Sequence, residues 1–378
     1  MKAYRLWIIL LGIIIAIPFA GRLTWIMQKS KPIEILIINK SVQNSSTNEV
    51  KTLNWTLNNE KFVNSEKQIY NYTYQYFGYY PDATSEDRKI KSFSLENITN
   101  LSEKNDVLFF ADNYGIEPSM NDTKTVKKKS YGGFNNSDYV FLKEMVNKQK
   151  LVIAEYNFIS LPTEDLVRYN TEKFLDIYSL GWRGKYFKNL SKDQVSLDIE
   201  TKWFDLYKQM NSEDWIFSGP GIILLNTSQN RIIVIPGEKY MNSEFPEVIT
   251  TEEIATQYNI PHKAAYSGWF DMSYPGQNKV ISHFNLNLND EGINLLKRNG
   301  IEAEFPAVIV SANSKFYYMA GDFSKVHVFM PYSRLGFISN IIESVNKGKV
   351  NKPEKFFLTY YNNLLTTILN NYYLEISH

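Results

Sequence analysis

Residues Leu151-Val152-Ile153-Ala154 are four consecutive apolar side chains that run straight into a carboxylate, Glu155, with helix-patterned segments on either side. A strand that is apolar on both faces must be covered on both faces. This stretch therefore points to a parallel strand sandwiched between layers of helix. Two earlier runs have the same character, Ile33 to Asn39 (IEILIIN) and Asp106 to Asp112 (DVLFFAD). Helical periods fall between them. Glu49 to Phe62 sets Val50, Leu53 and Leu57 on one face, and Ser137 to Lys148 does the same with Val140, Phe141, Met145 and Val146. A further helix is expected from Pro162 to about Ile177, with Thr163 as its cap. Such alternation implies a parallel sheet with right-handed crossovers. The expected class is α/β, a mostly parallel sheet flanked by helices.

Ligands of open α/β sheets bind outside the carboxyl ends of the strands. Two of the runs deliver an acid there, Asp112 and Glu155. Two carboxyls in unequal environments can divide acid and base roles. Glycoside hydrolysis uses such a pair at about 5–5.5 Å or about 6.5–9.5 Å. The competing reading is that each caps a helix N-terminus or pairs with Arg168 or Arg183. In Gly181-Trp182-Arg183-Gly184-Lys185-Tyr186-Phe187, glycines bracket an arginine among aromatics. That pattern suits either a clamp for a sugar or anionic group or a structural turn with a stacked arginine. Tyr266 to Asp271, with Trp269, is either an aromatic loop over the site or core packing. Asp322 follows a strand and a glycine, which directs it to the same crevice.

The pattern changes near Tyr178. Residues 178–250 hold short apolar runs, Ile222 to Leu225 and Ile232 to Ile235, separated by Asn226 to Asn230, as in a hairpin. This segment is expected to be an antiparallel insertion into a domain spanning 33–348. Strands at Val280 to Leu286, Pro306 to Val310 and Phe316 to Ala320, and a helix over Leu335 to Val345, complete that domain. Pro353 opens a last amphipathic helix, 353–376, where Phe356/Phe357, Tyr360/Tyr361, Leu364/Leu365, Ile368/Leu369 and Tyr372/Tyr373 recur every four residues. The stripe docks on its own domain, on a partner protein or on a membrane surface. The scarcity of lysine on its polar side argues against the last.

The N-terminus carries a different signal. Leu6 to Ala20 lacks charge, with Lys2 and Arg5 before it and Arg22, Lys29 and Lys31 after. A bilayer span takes about 20 residues. Residues 1–28 therefore read as a single-pass membrane anchor if Arg22 snorkels and Trp25 sits at the interface. Pro18-Phe19-Ala20 makes a poor signal-cleavage site. The usual arrangement then puts the main domain outside the cytoplasm.

Composition excludes more than it selects. A net charge of +1 over 378 residues gives no field for nucleic acid. The chain has no cysteine, which removes disulfides, zinc-thiolate sites and any thiol nucleophile. The four histidines are scattered without metal-ligand spacing, and no metal or cofactor is expected. No P-loop, GxGxxG or GxSxG motif is present.

The order of elements resembles the class I glutamine amidotransferase-like superfamily, a flavodoxin-like fold, in its non-amidotransferase branches. The residues that carry the resemblance are the strand ending at Asp112, the Tyr131-Gly132-Gly133 loop, the following helix, and the strand turning sharply at Ala154-Glu155-Tyr156-Asn157. Phe305 to Val308 and Phe316 to Phe323 are similar to a later segment of branches associated with sugar metabolism. Active members of the superfamily carry a cysteine at that sharp turn, and none is present here. Gly132 and Gly133 would then offer backbone N–H groups to a bound anion, unless they only make a tight turn. Asn157, Trp182, Arg183, Trp269 and Asp322 complete the expected ligand-binding set, with Glu155 and Asp112 as the catalytic candidates. Three functions follow: an extracytoplasmic amidotransferase-like domain binding a carbohydrate or partner in cell-surface glycan metabolism, a carboxylate-dependent glycan hydrolase, or a structural subunit of an envelope complex.

Overall fold

The computed structural model describes residues 16–41, 49–71, 73, 75–80, 90–115, 132–160, 162–338 and 352–377. In chain order the first strands are β1 (Lys31–Pro32), β2 (Ile35–Asn39), β3 (Phe62–Val63), β4 (Phe77–Tyr79), β5 (Ile90–Lys91), β6 (Val107–Asp112) and β7 (Leu151–Ala154). Next come β8 (Tyr178–Phe187), β9 (Gly221–Asn226), β10 (Arg231–Pro236), β11 (Glu247–Ile249) and β12 (Lys263–Ala265). The last are β13 (Trp269–Tyr274), β14 (Lys279–Asn285), β15 (Glu304–Val310) and β16 (Phe316–Met319).

A ten-stranded sheet runs β12-β11-β14-β15-β16-β7-β6-β2-β4-β5. Its middle is parallel, β16-β7-β6-β2-β4. Taken in chain order, those five strands lie across the sheet as second, first, third, fourth, fifth, the order of a flavodoxin-like doubly wound sheet. The apolar runs form this centre because every residue of β2 and β7 is buried. The sheet does not stay parallel. The Ser311–Lys315 link between β15 and β16 is too short for a crossover and enforces an antiparallel pair. Antiparallel pairing continues through β14, β11 and β12, and at β4–β5 on the other edge.

A second, antiparallel sheet, β10-β9-β8-β13, packs on the first. Alternation divides its faces. Trp182, Tyr186, Ile222, Leu224 and Phe270 join the main core. Phe187, Ile223 and Leu225 meet Trp203 and Phe204 of the helix Lys202–Asn211 in a separate apolar cluster. Arg183, Lys185, Trp269 and Asp271 share that second face by period and register, with Asp271 opposite Arg183 and Trp269 opposite Lys185.

Several expectations meet different neighbours. Thr163 does not cap the helix Asp165–Leu175, whose N-cap position is Glu164. Its hydroxyl accepts from Phe134 N at 2.9 Å instead. The helix expected over 335–345 lies outside the described residues beyond 338. The C-terminal helix runs from Pro353 to Ile376 with one wider, π-type turn over Phe357–Tyr361. Its stripe, including Tyr360, Tyr361, Leu364 and Leu365, is buried in the main core. Residues 16–27 are helical and seat Gly21 and Trp25 on the domain. Trp25, expected at a lipid–water boundary, is buried and donates from Nε1 to Asn58 O at 2.7 Å. Among the described residues no helix is long and apolar enough to cross a membrane. Most of the apolar run, residues 1–15, lies outside them.

Candidate functional site

The sheet changes direction of winding between β2 and β6, and polar groups collect at that point. Ser41, just beyond β2, donates to Asp112 Oδ1 at 2.8 Å, and Tyr114 N donates to the same oxygen at 2.7 Å. Gly115 N donates to Ser41 Oγ at 2.7 Å. The chain is locked there by Gly132 and Gly133. A Cβ at Gly132 would stand 2.3 Å from Gly115 Cα, and its φ of +149° is one that few side-chain-bearing residues adopt. Gly133 N donates to Asn113 O at 2.6 Å, so this N–H serves the turn and is not offered to an anion. Lys40 donates to Gly133 O at 2.8 Å and forms a buried ion pair with Asp138, whose carboxylate also closes the capping box of the helix Asn136–Asn147. Tyr131 lies outside the described residues.

At the end of β7 the chain turns through Asn157, at φ +63°, a conformation asparagine tolerates. Asn157 N donates to Asp271 Oδ2 at 3.1 Å, and Tyr318 OH donates to that oxygen at 3.1 Å. Asn157 Oδ1 is buried without a hydrogen-bond partner among the described residues. The Arg183 guanidinium lies 5.4 Å from the Trp269 ring centre and 5.9 Å from that of Tyr114. Its Nε is buried without a hydrogen-bond partner among the described residues. Its neighbours Lys185 and Trp269 line a crevice of about 380 Å³, together with Tyr266, Asp322, Lys325 and Lys352 among others; Arg183 stands behind them and is not part of that lining. Lys185 pairs with Asp198 at 2.7 Å, while Lys325 and Asp322 are 3.8 Å apart.

Electrostatics mark the same place. Burial pushes the Asp112 carboxyl up to about 7; hydrogen bonds from Tyr114 and Ser41 oppose this, and the neighbouring Asp322 adds to it. Burial lifts Asp271 to about 6 against the pull of its two hydrogen bonds and of Arg183. Asp322 is raised by burial, with Lys325 and Lys185 pulling it back. Tyr156 is held well above its usual range by burial and then by Asp271, so its hydroxyl stays neutral. Asp112 and Asp271, which hold protons toward neutral pH, can donate as well as accept hydrogen bonds.

The predicted residues divide. Asp112, Asn157, Arg183, Trp269 and Asp322 come together around this region. Trp182 does not, because alternation along β8 turns it into the main core. Glu155 does not either. It is 1 % exposed, and its carboxyl accepts from Ser324 Oγ at 2.8 Å and from Tyr361 OH. Tyr361 belongs to the C-terminal helix, and Ser324 in turn accepts from Thr52 at its carbonyl. Glu155 thus joins β7 to the terminal helix, and the expected pairing with Asp112 across a substrate has no open face on the Glu155 side. Ser41, Tyr114, Tyr156, Asp271 and Tyr318 enter without having been expected. Asp271 had a signal, since it alternates with Trp269 on one strand. Among the described residues no group of three or more His, Cys, Asp or Glu could hold a metal ion.

No family model matches the chain, and no curated protein matches it. Among solved structures, a ThuA-like protein from Bacteroides uniformis is similar over 90 % of this chain and 91 % of that chain, at 9 % identity and a TM-score of 0.38.

Proposed function

We propose that this chain is a cysteine-less, amidotransferase-like domain that binds a carbohydrate bearing an anionic group in the crevice beside Arg183. The observation that carries the reading is Arg183 itself. It stacks near Trp269 and Tyr114 at the carboxyl edge of the parallel sheet, with Nε unpartnered among the described residues. A stacked guanidinium with a spare N–H suits a carboxylate or phosphate on a ring that also covers an aromatic face. Among the described residues, the charged side chains lining the crevice are four lysines and two aspartates, which favours an anion. The flavodoxin-like strand order supports the superfamily assignment. The apolar N-terminal run supports membrane anchoring with this domain outside the cytoplasm. A glycan array probed with the full-length chain in detergent tests the reading. Retention of acidic glycans, lost in Arg183→Gln, is expected; retention of no glycan by the wild type removes it.

A second reading, carboxylate-dependent hydrolysis, draws support from Asp112 and Asp322, which lie close enough to raise the Asp112 pKa. On this reading Asp112 takes the role expected of the enclosed Glu155. Release of reducing ends from the retained glycan, absent in Asp112→Asn, is the expected result. Burial of the C-terminal stripe supports its docking on this domain over docking on a partner protein.

A further inference from the structure

The helix at 16–27 is amphipathic in the reverse sense. Its docked face is small and carries Gly21 and Trp25, while Phe19, Leu23, Ile26 and Met27 form an outward stripe at helical spacing, 49–78 % exposed. A water-facing helix would put polar residues there. Alongside it runs a second element. Gly336 N donates to Gly21 O at 2.8 Å, and Leu335 Cβ would lie 3.3 Å from a Cβ at Gly21. From this segment Phe329, Tyr332 and Phe337 also project, each 42–54 % exposed. Lys61 donates to the carbonyls of Ile26 and Gln28, at 2.7 and 2.5 Å, and so fixes the carboxyl end of the helix on the domain.

Between the two elements lies a cavity of about 570 Å³. Arg22 and Arg334 line it, and among the described residues no acidic side chain does and neither arginine has an ion pair. Asn58, also in its wall, has a buried side-chain oxygen with no hydrogen-bond partner among the described residues. Two guanidiniums suit a phosphate, and an orphaned acceptor suits a hydroxyl near it. An apolar and aromatic rim around a cationic recess has the chemistry of the bilayer boundary.

We infer that this face rests on an anionic bilayer, with the helix stripe and the Phe329–Phe337 segment against the acyl boundary and a lipid phosphate between Arg22 and Arg334. The inference rests on the membrane part of the proposed function and adds a fixed orientation, because the helix is seated on the domain and does not act as a free tether.

The absence of cysteine makes the test direct, since one introduced thiol takes one spin label. Full-length Leu23→Cys and Tyr332→Cys are labelled and reconstituted into phosphatidylcholine vesicles with or without phosphatidylglycerol. Accessibility to oxygen and to a water-soluble nickel chelate is then read at each label. The expected result is an oxygen-accessible, nickel-protected label at both positions. At 332 the protection should be stronger with phosphatidylglycerol and should fall to the phosphatidylcholine level in Arg22→Gln/Arg334→Gln. A lipid-exposed label at 23 with a water-exposed label at 332 overturns the docking while leaving the anchor. Equal protection at 332 in both lipids overturns the headgroup site. Failure of the full-length chain to float with vesicles overturns the membrane reading and the docking together.

Discussion

Replacing Tyr361 by phenylalanine removes one hydroxyl and leaves the ring. That ring is fully buried and packs near Phe323 and Phe357, with centres 6.1 and 6.0 Å away. Nothing apolar is lost, so any effect comes from the Glu155 carboxyl that the hydroxyl serves. Hydrogen bonds to charged groups contribute about 1.5–3 kcal/mol, and a buried acceptor left unsatisfied costs about 1–3 kcal/mol. Ser324 still donates to the other oxygen, which bounds the loss. The expected destabilisation of Tyr361→Phe is about 2 kcal/mol. Urea unfolding followed by tryptophan fluorescence measures it. Glu155→Gln should cost a similar amount, and the double variant less than the two together, since each breaks the same contact. A change within about 0.5 kcal/mol for Tyr361→Phe, or strict additivity in the cycle, refutes the claim that Glu155 clamps the C-terminal helix.

Asp112 and Asp271 keep their protons in the folded chain up to about pH 7 and 6, whereas an unfolded aspartate releases its proton near 3.9. The folded state therefore binds more protons across that window, and stability falls as pH rises from about 4 to about 7. Melting temperatures across that range check the sign, and Asp112→Asn should flatten the profile. Lys40→Met leaves Asp138 as an unpaired buried carboxylate and should cost about 3–5 kcal/mol, partly restored by adding Asp138→Asn, as read by urea unfolding. Gly132→Ala drives a methyl into Gly115 and Tyr114 O and should destabilise by at least about 2 kcal/mol in the same assay.

The parallel half of the sheet was legible because burial on both faces writes near-continuous apolar runs, as in β2, β6 and β7. The antiparallel continuation was not, since strand direction depends on how β14 and β15 are connected and covered. Glu155 shows the same limit at one residue. The sequence puts an acid after a buried strand, but which way its side chain turns is decided by Tyr361 and Ser324, 206 and 169 residues further on. Asp112 was readable because its partners, Ser41 and Tyr114, lie at adjoining strand ends of the same parallel block. Asp271 and Arg183 became a pair only through the cross-strand register of β8 and β13. Trp182 and Arg183 are adjacent in sequence, yet the two-residue period of β8 sends one to the core and the other to the site.

Titration calorimetry with the best-retained acidic glycan, on Arg183→Gln and Glu155→Gln side by side, tests the central claim most directly. The prediction is that Arg183→Gln loses binding with its unfolding midpoint unchanged, while Glu155→Gln binds as wild type with a lowered midpoint. Loss of binding in Glu155→Gln at unchanged stability, with Arg183→Gln binding normally, would contradict it.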